Sequence, residues 1–136
     1  MITHLLDTSV YSQRLQPRPV DSVMERWSNL GDSSLSISSI CEAELVYGLE
    51  KKSSARLWKE YHQYLENRLI IFPIDTETSH CFATIKAETQ KAGNTVADFD
   101  LLIAATAITR RLKLATLNYQ HFEKVPRLDA EDWSTY

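Results

Sequence analysis

The stretch DFDLLIAATAITRRLKLATLN (residues 98–118) joins a helix to a strand and determines the expected fold. Residues 98–111 place apolar or small side chains around most of the helical circumference, which is typical of a buried helix. KLATL (113–117) is a short apolar run of the kind found in buried strands. A buried helix that leads directly into a buried strand indicates a parallel sheet covered by helices.

The same alternation of strands and helices continues toward the N-terminus. Apolar runs predict further strands at 2–6, 34–38 and 69–74. Helical periodicity and capping residues predict helices at 21–30, 39–53, 55–68 and 77–92, the last capped by Asp75 or Thr76 and ended by Gly93. We therefore expect a single domain over residues 1–136: a three-layer α/β/α fold with a mostly parallel central sheet, whose last strand is 113–117.

Composition narrows the classes of function. The chain has 43% hydrophobic and 24% charged residues and a net charge of −3, which is ordinary for a folded domain and argues against non-specific binding to nucleic acid or anionic membranes. It begins without a secretory signal and has no apolar segment near the roughly 20 residues of a membrane span. We expect a cytoplasmic protein in which Cys41 and Cys81 are reduced.

Two polar residues directly follow expected strands: Asp7 follows strand 2–6, and Asn118 follows strand 113–117. Because the carboxyl ends of parallel strands meet at one edge of the sheet, where such sheets bind ligands, we expect both side chains at a common site. Each also has a purely structural interpretation, since Asp-Thr-Ser after a strand favours an Asx turn and asparagine is common in turns.

Two pairs of acids lie two positions apart, and in each pair one member has a structural role. Ser39 and Glu42 have the spacing of a capping box, which leaves Glu44 as the candidate ligand or as an exposed helical glutamate. Asp98 either caps the following helix or lies at its third position with Thr95 as the cap. Both alternatives leave Asp100 free, on a narrow, mostly alanine face of the helix.

Asp7, Glu44 and Asp100 come from three different elements and are expected to meet at one edge of the sheet. Three carboxylates in one place repel each other unless a cation neutralises them. Oxygen ligands without histidine or thiolate suit Mg²⁺ or Mn²⁺, and such clusters commonly serve phosphoryl chemistry.

Four motifs, in order, resemble the PIN domain, and specifically the VapC-type toxins of prokaryotic type II toxin–antitoxin pairs. They are LLDTSV (5–10), SISSICEAELVYG (36–48), ADFDLLIAATA (97–107) and LATLNYQHF (114–122). The resemblance extends over nearly the whole chain, including its ending FEKVPRLDAEDW (122–133).

This resemblance implies a Mg²⁺- or Mn²⁺-dependent endoribonuclease. Asp7, Glu44 and Asp100 take the positions of the family's metal-binding acids. Asn118 takes the position of a fourth catalytic residue, which is aspartate or asparagine in the family; because it is neutral here, we expect one metal ion. Thr8 and Ser9 take a hydroxyl position beside the first acid that is expected to hold a phosphate, a water or Asp7. Metal-activated water would attack an RNA phosphodiester, often of transfer RNA in this family, leaving 5′-phosphate and 3′-hydroxyl ends.

The resemblance also implies partners in a prokaryotic cytoplasm. The first partner is the RNA substrate. The second is a VapB-like antitoxin, whose C-terminal segment lies in a groove of the toxin and blocks the site. The third is a second copy of the chain, in a homodimer or in a toxin–antitoxin hetero-oligomer, and no membrane is expected as a partner. Candidate cations for the RNA backbone are Arg14, Arg18, Arg110, Arg111 and Lys113.

Two alternatives belong to other functional classes. A receiver-like signalling domain would also gather acids and Mg²⁺ at strand ends. Such a domain would need a second acid beside Asp7 and a lysine after the last strand. In this chain Thr8 follows Asp7, and no lysine directly follows strand 113–117. A PIN-type domain that has lost catalysis would act as a binding module, and metal-dependent RNA cleavage distinguishes it from the enzyme.

Overall fold

A single five-stranded sheet lies at the centre of the computed structural model, which describes residues 1–136. Its strands are β1 (His4–Leu6), β2 (Leu35–Ser38), β3 (Ile70–Phe72), β4 (Lys113–Thr116) and β5 (Ala130–Asp132). Their order across the sheet is β3-β2-β1-β4-β5, and every neighbouring pair is parallel. The expected α/β class with a parallel sheet is confirmed.

Seven α-helices cover the two faces of the sheet. They are α1 (Thr8–Tyr11), α2 (Asp21–Leu30), α3 (Ser39–Lys52), α4 (Ala55–Tyr64), α5 (Thr76–Lys91), α6 (Asp98–Arg110) and α7 (Tyr119–Phe122). Leu6 packs in one apolar cluster with residues of α1–α4, and its neighbour Leu5 packs in a second cluster with residues of α5–α7. The alternation of side chains along β1 thus gives three layers. None of the helices combines the length and apolar composition that crossing a bilayer requires.

The C-terminal segment differs from the sequence-based expectation, because β5 adds a strand after β4. Its sequence Ala-Glu-Asp is short and polar, so it carries no hydrophobic pattern. The strand is instead held by its surroundings: Trp133 is fully buried, and its amide donates to the Thr116 carbonyl at 2.9 Å. The expectation that residues 113–117 form the last strand is therefore wrong.

The start of α3 also corrects the sequence interpretation. Ser38, not Ser39, caps this helix, because its extended backbone lets the Ser38 hydroxyl accept from the Cys41 amide at 3.1 Å. Glu42 then lies one position too far along the helix for the reciprocal bond of a capping box. Asp75 does cap α5 as expected, accepting from the Thr78 amide at 2.8 Å.

The chain order creates a switch point beside β1. From β1 the chain moves outward on one side through β2 and β3, and later builds β4 and β5 on the other side. In open parallel sheets, ligands bind in the crevice at the carboxyl ends of the strands at such a point. Asp7 directly follows β1, and Thr116 ends β4, so both lie at this crevice.

Candidate active site

The Asp7 carboxylate lies at the switch point and is only 4% exposed. Its Oδ1 accepts from the Ser9 hydroxyl at 2.6 Å and from the Val10 amide at 3.0 Å, which caps α1. Its Oδ2 accepts from the Thr116 hydroxyl at 2.6 Å. A carboxylate has about four lone-pair positions. One position, on Oδ2, therefore stays free, so the structural role of Asp7 and a ligand role are compatible.

Thr116 is a site residue that the sequence interpretation missed. Its hydroxyl donates to Asp7 and also accepts from the Asn118 amide at 2.8 Å. The Ser9 hydroxyl makes a second link, accepting from the Leu117 amide at 3.0 Å. Two hydroxyls thus tie the end of β4 to the end of β1. The available signal was position, since Thr116 ends a strand of the same parallel sheet.

Glu44 reaches the crevice from α3. The Thr8 hydroxyl donates to Glu44 Oε1 at 2.6 Å, while the second oxygen of Glu44 accepts no hydrogen bond within the chain. Because Thr8 directly follows Asp7 in the sequence, this bond joins α3 to the end of β1. The Thr8 hydroxyl therefore holds Glu44 rather than Asp7.

Asp100 enters from the first turn of α6 and is half-buried. Its Oδ2 lies 3.8 Å from His121 Nδ1, where the two side chains are 26% and 62% exposed respectively. Burial raises the pKa of Asp100, and the charge of Glu44 raises it further, against a lowering effect of His121. Burial also raises the pKa of Asp7, and the charge of Asp100 raises it further. The three hydrogen bonds that Asp7 accepts lower the pKa but do not cancel this rise. Asp100 thus lies within electrostatic range of both Asp7 and Glu44.

Asp98 has a different partner from the one expected. Ala97 occupies the cap position of α6 without a side-chain bond, so neither Asp98 nor Thr95 caps this helix and both predicted alternatives are wrong. Asp98 is the first helical residue, and its carboxylate instead pairs with Lys86 on α5 at 2.9 Å. Asp98 therefore has a structural role, although a different one from capping.

The Asn118 side chain is exposed and makes no capping hydrogen bond at the start of α7. It lines a hollow together with His121, Asp132 and Ser134. Hydrogen bonds join Thr8 to Glu44 and Thr116 to Asp7, and the backbone amide of Asn118 donates to Thr116.

The donor set fits a divalent cation. No three Asp, Glu, His or Cys side chains converge closely enough to form a finished metal site. The donors that face the crevice are nevertheless hard oxygens, among them the free Oδ2 position of Asp7, one oxygen of Glu44 and the Asp100 carboxylate. Such donors suit Mg²⁺ or Mn²⁺. A cation would also offset the repulsion that raises the pKa of Asp7 and Asp100.

Two depressions flank these acids. The first, which we call the leucine groove, runs between α3 and α4 beside Thr8 and Glu44 and is lined by Leu15, Leu45, Gly48, Leu49, Lys52 and Leu57. The second, which we call the α7 pocket, has Asp100 in its wall and is lined by Thr95, Val96, Ala97, Gln120, His121 and Lys124. The site therefore has an apolar approach on one side and a polar approach on the other.

Most of the basic residues proposed for RNA lie elsewhere or have partners. Arg110 pairs with Asp75 at 3.0 Å. Arg111 directly follows α6 and Lys113 begins β4, which places both at the opposite edge of the sheet from Asp7. Arg14 stacks on the Trp27 ring at 4.4 Å. Two other lysines line the depressions beside the acids, Lys52 in the leucine groove and Lys124 in the α7 pocket.

Comparison with known proteins gives concordant matches. Residues 4–128 match the family profile described as PIN domain. The tRNA(fMet)-specific endonuclease VapC of Salmonella typhimurium is 32% identical over 133 residues, covering 98% of this chain and 99% of the relative. Ribonuclease VapC2 of Haemophilus influenzae is also 32% identical, with the same coverage of both chains.

Among solved structures, the DNA-bound VapBC of Salmonella typhimurium contains a chain that superposes with a TM-score of 0.85 at 32% identity. The match covers 98% of this chain and 99% of that one. Fold, length and sequence agree in all these matches. The chain belongs to the PIN-domain family and, within it, to the VapC ribonucleases.

Proposed function

We propose that the protein is the toxin of a type II toxin–antitoxin pair and acts as a Mg²⁺- or Mn²⁺-dependent endoribonuclease of the prokaryotic cytoplasm. The observation that carries this proposal is the match to VapC ribonucleases over almost the full length of the chain. It is supported by the charge effects that link Asp7 to Asp100 and Asp100 to Glu44. PIN-domain nucleases depend in general on divalent metals.

In this proposal Asp7, Glu44 and Asp100 hold one divalent cation. When bound, the cation polarises the phosphodiester, lowers the pKa of the attacking water and offsets charge on the leaving oxygen. Thr116 and Ser9 orient Asp7, and Thr8 orients Glu44, through hydrogen bonds of 2.6 Å. Fixed ligand orientation contributes to catalysis because the ligands need not reorganise during the reaction. Cleavage would leave 5′-phosphate and 3′-hydroxyl ends, and Asn118 stays a candidate fourth residue.

Transfer RNA is the substrate class that we propose. The support is the similarity to a Salmonella typhimurium relative named as a tRNA(fMet)-specific endonuclease. The test incubates the purified protein with bulk transfer RNA in Mg²⁺, in Mn²⁺ and in EDTA. We expect cleavage in both metals and none in EDTA, with 5′-phosphate ends on the products. Cleavage that persists in EDTA, or no cleavage in any condition, would contradict the proposal.

We further propose that a VapB-like antitoxin occupies the leucine groove. The support is the apolar lining of this groove and its position against Thr8 and Glu44, so that an occupying segment would cover the site. The similar VapBC structure is described as a DNA-bound assembly. We also propose a homodimer of this chain within the assembly. Light scattering of the toxin, alone and with the antitoxin, tests the homodimer and its assembly with the antitoxin.

A further inference from the structure

The α7 pocket adjoins the candidate site directly. Its volume is about 290 Å³, and Asp100 forms part of its wall. The remaining lining comes from the 95–97 segment before α6 and from Gln120, His121 and Lys124 around α7. A chain bound at Asp100 can therefore continue into this pocket.

The α7 side of the pocket is firmly anchored. Phe122 and Val125 are 2% and 5% exposed and pack into the apolar cluster beneath α5 and α6. The His121 amide donates to the Asn118 carbonyl at 2.9 Å, and the Val125 amide donates to the Phe122 carbonyl at 3.0 Å. The backbone that carries the three polar side chains is therefore fixed in position before any ligand arrives.

Lys124 supplies an unpaired cation at this pocket. It is exposed and takes part in none of the ion pairs of the chain. The site beside it carries the charges of Glu44 and Asp100, and the whole chain has a net charge of −3. A polyanion can approach such a site only where local cations offset the repulsion. Lys124 is placed to do so.

Gln120 and His121 add the groups that distinguish nucleobases. The glutamine amide offers both a donor and an acceptor, and so does a neutral imidazole. Both side chains are exposed, and both line the pocket. Hydrogen bonds of this kind read the edges of unpaired bases in single-stranded RNA.

We propose that the α7 pocket binds the RNA nucleotide next to the scissile phosphate, with Lys124 on its phosphate and Gln120 and His121 on its base. This inference rests on the proposed ribonuclease function. It assigns substrate contact and sequence preference to Gln120, His121 and Lys124. These side chains are not among the metal-binding or catalytic positions that the resemblance to VapC toxins implies.

Salt dependence of binding tests the phosphate contact. Affinity for a short, labelled single-stranded oligoribonucleotide of mixed sequence is measured by fluorescence anisotropy, with Ca²⁺ in place of Mg²⁺, at several salt concentrations. Lys124→Ala should weaken binding several-fold and make the slope of log affinity against log salt shallower by about 0.7. The matched control Lys59→Ala removes an exposed lysine from α4, in the other helix layer, and should leave the slope unchanged.

Sequence preference tests the base contact. Cleavage rates in Mg²⁺ are compared for oligoribonucleotides that differ at single bases. Gln120→Ala should change the ratios among them, whereas Lys124→Ala should lower all rates alike. The inference would be overturned if Lys124→Ala left both the RNA affinity and its salt slope unchanged, or if Gln120→Ala left the ratios of cleavage rates unchanged. In either case, RNA cleavage by the wild type would still support the proposed function. A wild type that neither binds nor cleaves RNA would overturn both.

Discussion

At the scale of single residues, the Asp7 carboxylate divides its two oxygens between the fold and the candidate site. Oδ1 closes the first turn of α1, while Oδ2 receives the Thr116 hydroxyl and keeps one free position. A buried carboxylate without partners is costly. The hydrogen bonds from Ser9, Val10 and Thr116 offset that cost and also fix the direction in which the free position points.

Thr116→Val should remove one of these bonds without changing the side-chain volume much. The buried Asp7 then loses a donor, so we expect a loss of about 1–3 kcal/mol in the free energy of unfolding and weaker metal binding. Thr106→Val is the control, because the fully buried Thr106 donates only to a helix carbonyl, Leu102, at 2.9 Å. Urea titrations compare the two variants. Equal losses would show that the Thr116 hydroxyl has no special role.

Burial of Asp7 and Asp100, together with repulsion between the carboxylates, predicts a pH dependence. The pKa values of Asp7 and Asp100 are raised above the usual 3.8, so the folded chain binds more protons than the unfolded chain between 3.8 and the raised values. In this window the free energy of unfolding decreases as the pH rises. Asp100→Asn should therefore stabilise the metal-free protein at neutral pH, by about 0.5–1 kcal/mol, and flatten the profile.

Thermal unfolding in EDTA across the acidic range measures this effect, and Mg²⁺ should stabilise the wild type more than Asp100→Asn. Asp98→Asn serves as the control, because it weakens the ion pair with Lys86 and relieves no repulsion at the site. An Asp100→Asn variant that is less stable than the wild type at neutral pH would contradict the claim that the buried charge of Asp100 destabilises the metal-free protein.

Residue-level prediction from the sequence reached the acids and the hydroxyls of Thr8 and Ser9, but it missed the hydroxyl of Thr116. Asp7 was identified by its place after an apolar run, and Glu44 and Asp100 stay predictions as ligands. The capping roles given to Asp98 and Glu42 were wrong, because the helices begin at positions that depend on the backbone around Ser38 and Ala97. Thr116 was missed because its bond to Asp7 needs the register of β1 against β4, which no local pattern contains.

At the scale of elements, α3 carries both the candidate ligand Glu44 and part of the leucine groove. Leu45 and Leu49 are buried on this helix, while Gly48 leaves the groove open between α3 and α4. A Cβ atom at Gly48 would meet no other atom within 4 Å. Neither packing nor the backbone therefore requires glycine at this position.

Substitutions at Gly48 should separate stability from partner binding. Gly48→Ala should stabilise the fold by about 0.5–1 kcal/mol, because glycine within a helix is unfavourable relative to alanine. Gly48→Phe should fill the groove and weaken antitoxin binding while RNA cleavage continues. Denaturation and calorimetry with the antitoxin measure the two effects. Undiminished antitoxin affinity in Gly48→Phe would place the antitoxin elsewhere.

At the scale of the whole molecule, the C-terminal segment closes one face of the fold. Trp133 is fully buried in the cluster formed with α1–α4, and the Ser22 hydroxyl on α2 donates to its carbonyl at 2.8 Å. His4 and Glu131, 2.7 Å apart, join β1 to β5 across β4. The layers followed from the sequence pattern, but β5 depends on these long-range contacts and was therefore not predicted.

Trp133→Ala should destabilise the protein by about 3–5 kcal/mol, because it leaves a large cavity between the sheet and α2. Tyr136→Ala, at a side chain that is 75% exposed, is the control and should be nearly neutral. Chemical denaturation followed by circular dichroism compares the variants. A loss below about 1 kcal/mol for Trp133→Ala would mean that β5 contributes little to the fold.

Cleavage of bulk transfer RNA by Asp98→Asn and Asp100→Asn, measured side by side in Mg²⁺, tests the metal-dependent site most directly. Both variants remove one charge from the first turn of α6, yet only Asp100 faces Glu44 and His121. We predict that Asp98→Asn cleaves at close to the wild-type rate and that Asp100→Asn loses at least about a hundredfold. Loss of cleavage in Asp98→Asn with full activity in Asp100→Asn would contradict the assignment of the site.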